Sequence, residues 1–353
     1  MAAFVYDALP GRVVFGAGAA RTQLAAEAEA LGAKRILVVA ADSETELADE
    51  LCGPLAGRVT ETFSAVRPHV PVEAAGKARA AAAGADLILS VGGGSTTGTA
   101  KAVALTTGLP ILAVPTTYAG SEVTPVWGLT DAGRKTTGTD PRVLPRTVVY
   151  DPDLTATLPA ELAVASGLNA MAHCVEAFWA PRRNPVSSAV AEDGIRHLAA
   201  GLPGSGADPA SREELMLGAY LAGSAFAVAG SGLHHKICHV LGGAFDLPHA
   251  QTHAVVLPHV LAFNAAPAAD AAARTAAALG APDPAIGLFE LAARLGVPAG
   301  LRELGLLESD VHTVLDEILE LAPADNPRPV TAAGVRTLLH GAWAGIEPGK
   351  ESR

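Results

Sequence analysis

A chain of 353 residues is long enough for two domains, each with its own core. Half of its residues are hydrophobic and only 4% aromatic, a globular composition whose interior must be built mainly from Ala, Val and Leu. The formal net charge of −11, with no run of Lys and Arg, excludes a phosphate-neutralising stripe and with it non-specific nucleic-acid binding.

The first residues, MAAFVYDALPGRVVF, lack a basic stretch followed by an apolar one and a small-residue cleavage site. No signal peptide is therefore expected, and a cytoplasmic location is. Cys52, Cys174 and Cys238 lie far apart without a CxxC pair, which fits a reduced compartment and offers no zinc-knuckle spacing. Up to about residue 155, short β-type runs alternate with Ala-rich stretches: RVVF (12–15), RILVVA (35–40), DLILSVGG (86–93), PILAVPTT (110–117) and TVVYDP (147–152). Continuous apolar runs bounded by Gly, Pro or Asp predict buried parallel strands in an α/β layer.

Beyond Pro159 the β pattern fades. Helices are expected at 159–180, 185–202, 211–230, 231–243, 269–280, 286–295, 308–322 and 330–344, separated by turn clusters such as APRRNP and GLPGSGADPAS. The domains expected are thus an α/β domain over 1–158, of the nucleotide-binding type, and an all-α domain over 159–353. No internal repeat is present, and the final EPGKESR reads as a frayed tail. The uncharged run from Leu215 to Leu233 is long enough to span a bilayer, but its Ala, Gly and Ser content suits a helix buried in protein better. No membrane partner is expected.

Four motifs carry chemistry. In LILSVGGGSTTGTAKA a strand runs into Gly92, Gly93, Gly94 and Ser95 and then a helix, so the backbone can approach a pyrophosphate and the helix N-terminus offers free N–H groups. By contrast GAGAAR (16–21) breaks the GxGxxG pattern and reads as an ordinary turn. In PTTYAGSE, Thr116, Thr117, Tyr118 and Ser121 present hydroxyls at the carboxyl end of a buried strand, the edge where α/β sheets hold ligands.

SGLNAMAHCVEAF places Asn169 and His173 four apart on one helix face, and HHKICHVLGGAFDLPH repeats that spacing with His235 and His239 before His249. For His234 and His253 chance clustering is the rival reading. His173, His235 and His249 together are compatible with Zn²⁺ or Fe²⁺. Asn169, the residue best placed to be a fourth ligand, is a neutral amide, which removes a negative charge and lowers metal affinity.

The glycine turn, PTTYAGSE, the N-x3-H helix and H-x3-H-x9-H together resemble the iron-containing alcohol dehydrogenase superfamily, which also includes glycerol dehydrogenase and dehydroquinate synthase. Within it, FVYDALPGRVVFGAG, VGGGSTTGTAKA, LPILAVPTTYAGSEVTPVWGLT, DPRVLPRTVVYDP, SGLNAMAHCVEAF and LHHKICHVLGGAFDLPHAQTHAVVLPH are similar to the maleylacetate reductase branch. The resemblance covers essentially the whole chain and implies the dehydroquinate synthase-like fold. Metal-dependent members use an Asp and three His, where this chain has Asn169, His173, His235 and His249. That departure is the one expected of maleylacetate reductases, which work without a bound metal.

The resemblance implies NADH- or NADPH-dependent reduction of the maleylacetate double bond to give 3-oxoadipate, a step in bacterial breakdown of aromatic compounds. It also implies a homodimer. Gly92, Gly93, Gly94, Ser95 and Thr96 would cradle the pyrophosphate, and Thr116, Thr117 and Ser121 would line the adenosine side, with Asp42 and Lys135 also at the cofactor. Ala41 holds the place where an acidic residue would select NADH, so the choice between the two cofactors stays open. His173, His235, His239, His249 and Asn169 would form the reaction centre, with Lys236 and Tyr118 toward the carboxylates of the dianionic substrate and Arg142 and Arg146 as further cations. Imidazoles suit enolate stabilisation and proton delivery because they titrate near neutrality. Rival readings are a metal-dependent alcohol dehydrogenase, a reductase of another unsaturated keto acid in a biosynthetic pathway, a dehydroquinate-synthase-like lyase, and a non-catalytic dinucleotide binder.

Overall fold

The computed structural model describes residues 3–132 and 134–350. Two compact units emerge, one over Leu9–Leu158 and the other over Pro159–Arg353 together with Met1–Ala8.

In the first unit, β1 (Arg12–Phe15), β2 (Ile36–Val39), β3 (Val59–Phe63), β4 (Leu87–Gly92), β5 (Ile111–Pro115) and β8 (Thr147–Tyr150) form one sheet in the order β1-β8-β5-β4-β2-β3. Every pairing in it is parallel. Strands β2, β4 and β5 are buried along their whole length, as expected where both faces of a parallel sheet are covered. Helices α1 (Ala19–Ala30) and α2 (Thr45–Cys52) pack Leu24, Ala28, Ala48 and Leu51 against Ile36, Val38, Leu89 and Val114. Helices α3 (Val72–Ala81) and α4 (Gly94–Thr107) complete the unit.

Two features were not read from the sequence: the edge strand β3, whose central residues are exposed, and an antiparallel hairpin of β6 (Val126–Asp131) and β7 (Arg134–Thr139). The GAGAAR segment is indeed a turn opening α1, and the buried carboxylate of Asp151 accepts from the N–H groups of Gly18 and Ala20 at 2.9 and 3.0 Å.

The second unit is helical: α5 (Ala160–Ala177), α6 (Pro185–Gly201), α7 (Pro209–Ala229), α8 (Leu233–Phe245), α9 (His249–Ala265), α10 (Ala269–Leu279), α11 (Pro284–Arg294), α12 (Glu308–Thr313), α13 (Leu315–Leu321) and α14 (Ala332–Ala344). The predicted 308–322 helix is two short ones, and α9 was not anticipated because Pro258 lies inside it. Among the described residues no single helix is long and apolar enough to cross a membrane. The uncharged run from Leu215 to Leu233 is broken at Gly230, where φ of +91° stops α7, and Leu215, Met216, Ala219, Ala222 and Phe226 of that helix are buried. Of the expected tail, residues 351–353 lie outside the described part.

Candidate active site

The parallel sheet brings the glycine turn and the PTTYAGSE loop to one crevice at the carboxyl ends of β4 and β5. Gly92 closes β4 with φ of +149°, and a Cβ there would lie 2.3 Å from Oε2 of Glu44 and 2.5 Å from Oγ1 of Thr96. A Cβ on Gly93 would lie 2.9 Å from Cγ2 of Thr117. Gly94, Ser95 and Thr96 make the first turn of α4, whose N-cap, Gly93, brings no side chain to its N–H groups. A dinucleotide pyrophosphate fits this cradle: a backbone stripped of side chains, opening a 14-residue helix whose dipole favours an anion.

The loop above it is held by groups the sequence reading missed. Lys101, buried on α4, donates from Nζ to the carbonyl oxygens of Ser121, Thr124 and Val126 at 2.6, 2.8 and 2.8 Å. Glu122, also buried, accepts from the hydroxyl of Tyr150 at 2.6 Å. Three expected residues take other places. Tyr118 is fully buried with its hydroxyl bonded to Thr155 at 2.8 Å, so it anchors the loop and is not offered to a substrate carboxylate. Arg142 is turned onto Asp140 at 2.7 Å on the surface. Asp42 is exposed, and the carboxylate that reaches the glycine turn is Glu44. Lys135 sits on β7, with its Cε beside Gly128.

The helical unit gathers the imidazoles. α5 carries Asn169 and His173, α8 carries His234, His235 and His239, and α9 carries His249 and His253. His173 stacks on His235 with centroids 5.0 Å apart, and Phe226 of α7 packs on both at 4.6 Å. His235 lies 6.0 Å from His239, which stacks on His249 at 6.2 Å. His253 fills the centre, 4.9 Å from His235, 4.8 Å from His234 and 4.3 Å from His249. His173, His235, His239 and His249 therefore meet, and His234 and His253, for which chance clustering is the rival reading, belong to the same cluster. Lys236, half-buried, follows on α8.

Glu176 organises the cluster and was missed. It is fully buried on α5, and its carboxylate accepts from the N–H groups of Gly232 at 3.0 Å and His234 at 2.7 Å and from Nδ1 of His235 at 2.5 Å. It thus caps α8, whose N-cap residue Gly232 has no side chain to do so. Burial pushes its carboxyl pKa up, while the neighbouring His234 and the backbone N–H groups pull it back. Backbone N–H groups donate to both of its oxygens, which favours the ionised form. With that carboxylate as acceptor, Nδ1 of His235 is the donor and Nε2 keeps its lone pair.

Burial, and then the neighbouring imidazoles, hold His173 and His253 well below the usual imidazole range. Burial pushes His234 down to about 4. These three rings are neutral at pH 7, whereas His239 and His249 are half-buried and reach solvent.

As a metal site the set fits poorly. Asn169 brings a neutral amide, and the cluster's buried carboxylate, Glu176, is engaged by N–H groups. Among the described residues the imidazole nitrogens converging within 4.8 Å of one another are those of His234, His235 and His253, not of His173, His235 and His249. A dication would rest on neutral donors alone in a desolvated interior.

The glycine turn at the carboxyl edge of a parallel sheet, followed by a helical unit built around histidines, is the arrangement of a two-domain dehydrogenase. Residues 10–152 match the iron-containing alcohol dehydrogenase family and residues 163–343 match the Fe-containing alcohol dehydrogenase family, C-terminal. The chain belongs to the iron-containing alcohol dehydrogenase family, and it is an oxidoreductase.

Within the family it is similar to maleylacetate reductase of Burkholderia cepacia, 47% identical with 99% of this chain and 100% of the relative covered. A maleylacetate reductase of Sphingobium indicum is 48% identical over 98% of this chain and 99% of its own. The crystal structure of maleylacetate reductase from Agrobacterium tumefaciens superposes with a TM-score of 0.93 at 43% identity, covering 99% of this chain and 100% of the other.

Proposed function

We propose that this protein reduces the carbon–carbon double bond of maleylacetate to give 3-oxoadipate, using a reduced nicotinamide dinucleotide and no metal. The observation that carries the reading is near-complete, 47% identical coverage by a maleylacetate reductase, joined to a converging imidazole cluster that has an amide where a carboxylate would be needed for a metal. When bound at the glycine turn, the dinucleotide supplies a hydride.

The substrate accepts that hydride at the alkene carbon β to its ketone, negative charge collects on the ketone oxygen as an enolate, and a proton then lands on the α carbon. Two tasks fall to the chain: donating hydrogen bonds to the enolate oxygen and delivering one proton per turnover. Proton delivery goes to His239 and His249, because half-buried rings recover a proton from water while the buried neutral ones do not. His235, oriented by Glu176, sets the geometry around them. Lys236, half-buried on the same helix, is the cation we assign to a substrate carboxylate.

The active form is proposed to be a cytoplasmic homodimer. The open strand edge at β1 and the exposed Phe4, Val5 and Tyr6 support association with a second copy. Incubating the purified protein with NADH and maleylacetate tests the reaction. Stoichiometric loss of NADH with formation of 3-oxoadipate is expected, and oxidation of NADH by simple aldehydes in preference to maleylacetate would overturn the assignment.

A further inference from the structure

Glu44 lies where the order of the parallel sheet reverses. From β2 the chain moves outward to β3, then returns to place β4 on the other side of β2 and continues through β5 to β8. The reversal between β2 and β4 opens the crevice in which doubly wound sheets hold nucleotides. The glycine turn ends β4 on one side of it, and the short turn Asp42–Glu44 follows β2 on the other.

Glu44 spans the gap. Its Oε1 accepts from the hydroxyl of Thr116 at 2.5 Å, beyond β5, and its Oε2 from that of Thr96 at 3.5 Å, in the first turn of α4. The same Oε2 lies 2.3 Å from where a Cβ on Gly92 would be. A carboxylate thus stands one strand away from the helix N-terminus suited to a pyrophosphate. In dinucleotide folds this spatial relation puts an acid on the adenosine ribose, whose hydroxyls it accepts and whose 2′-phosphate it repels. Sequence position alone points to Ala41 and the exposed Asp42, whereas the carboxylate set against Gly92 is that of Glu44.

We propose that Glu44 is the specificity-determining residue for the dinucleotide, accepting the ribose hydroxyls of NADH and rejecting the 2′-phosphate of NADPH. The two threonine hydroxyls make this workable, since each can rotate to another acceptor when ribose hydroxyls arrive. The inference rests on the dinucleotide reading of the glycine turn and resolves which of the two carriers the site takes.

Fluorescence titration of NADH and NADPH onto the intact protein without substrate tests it. Wild type is expected to bind NADH about tenfold or more tightly than NADPH, because like charges set side by side are strongly unfavourable. Glu44→Gln, which keeps the shape and removes the charge, is expected to bring the ratio close to one, mainly by strengthening NADPH. Equal affinities in wild type overturn the proposal, as does a variant that weakens both carriers alike, the mark of a mere brace between strands.

Should the variant not fold, calorimetry of wild type with ADP-ribose and its 2′-phosphate decides: discrimination supports the assignment and equal binding refutes it. Failure of both dinucleotides to bind would instead sink the cofactor reading itself. Tight, selective NADH binding without maleylacetate turnover would leave Glu44 in its role and remove only the substrate.

Discussion

In the helical unit the fully buried carboxylate of Glu176 accepts from N–H groups, whereas in the α/β unit the half-buried carboxylate of Glu44 accepts mainly from threonine hydroxyls. The donors make the difference. N–H groups of a helix end point one way only, so Glu176 holds the start of α8 and the ring of His235 in place. Hydroxyls rotate, so Glu44 can exchange partners when a ligand brings hydroxyls of its own. The helical unit holds its imidazole cluster by directed donors, and the α/β unit keeps an adaptable acceptor beside the glycine turn.

The sharpest way to break this contrast is Glu176→Gln, which turns one acceptor oxygen into a donor facing N–H groups. We expect kcat to fall on the order of 10³-fold, the ¹⁵N signature of the His235 tautomer to change, and stability to drop by about 1–3 kcal/mol in urea titration. A variant with near-normal kcat and an unchanged tautomer would show that Glu176 only fills space.

Next in size, His239→Ala and His249→Ala should each lower kcat on the order of 10²-fold with little change in NADH affinity, separable by steady-state kinetics and direct titration. Should either variant lose NADH binding rather than turnover, its assignment to proton delivery fails. At the other edge, Gly92→Ala must force a side chain onto Glu44 and Thr96 at a φ of +149°, so NADH should bind roughly tenfold more weakly by fluorescence, at a strain of about 1–3 kcal/mol.

A last effect is one of pH. Burial lowers His173, His234 and His253, so below about pH 6.5 the unfolded chain takes up protons that the fold refuses. Stability is complete above that pH and falls toward pH 4, with a slope of up to about 1.4 kcal/mol per pH unit for each ring. A urea midpoint at pH 5 equal to that at pH 7.5 would mean the rings are not buried as described.

The inner strands were legible because burial on both faces leaves uninterrupted apolar runs, as in Ile36–Val39 and Ile111–Pro115. Strand β3 and the hairpin were not, because VTETF and RKTTGT carry polar side chains on exposed edges that read as loop. Prolines hid α9, since Pro258 has the local signature of a break although the surrounding packing keeps the helix whole. The i,i+4 histidine pairs revealed the cluster, and Glu176, three residues after His173 on the same face, could have been found by the same rule. Glu44 could not, because only the strand order shows that a turn after β2 faces the end of β4.

We propose a conjugate reduction carried out by neutral and half-buried imidazoles without a metal. Following NADH oxidation with maleylacetate before and after exhaustive chelation tests it directly. The same turnover is expected in both samples, and turnover that vanishes on chelation and returns on adding Fe²⁺ or Zn²⁺ would show that a metal carries the reaction.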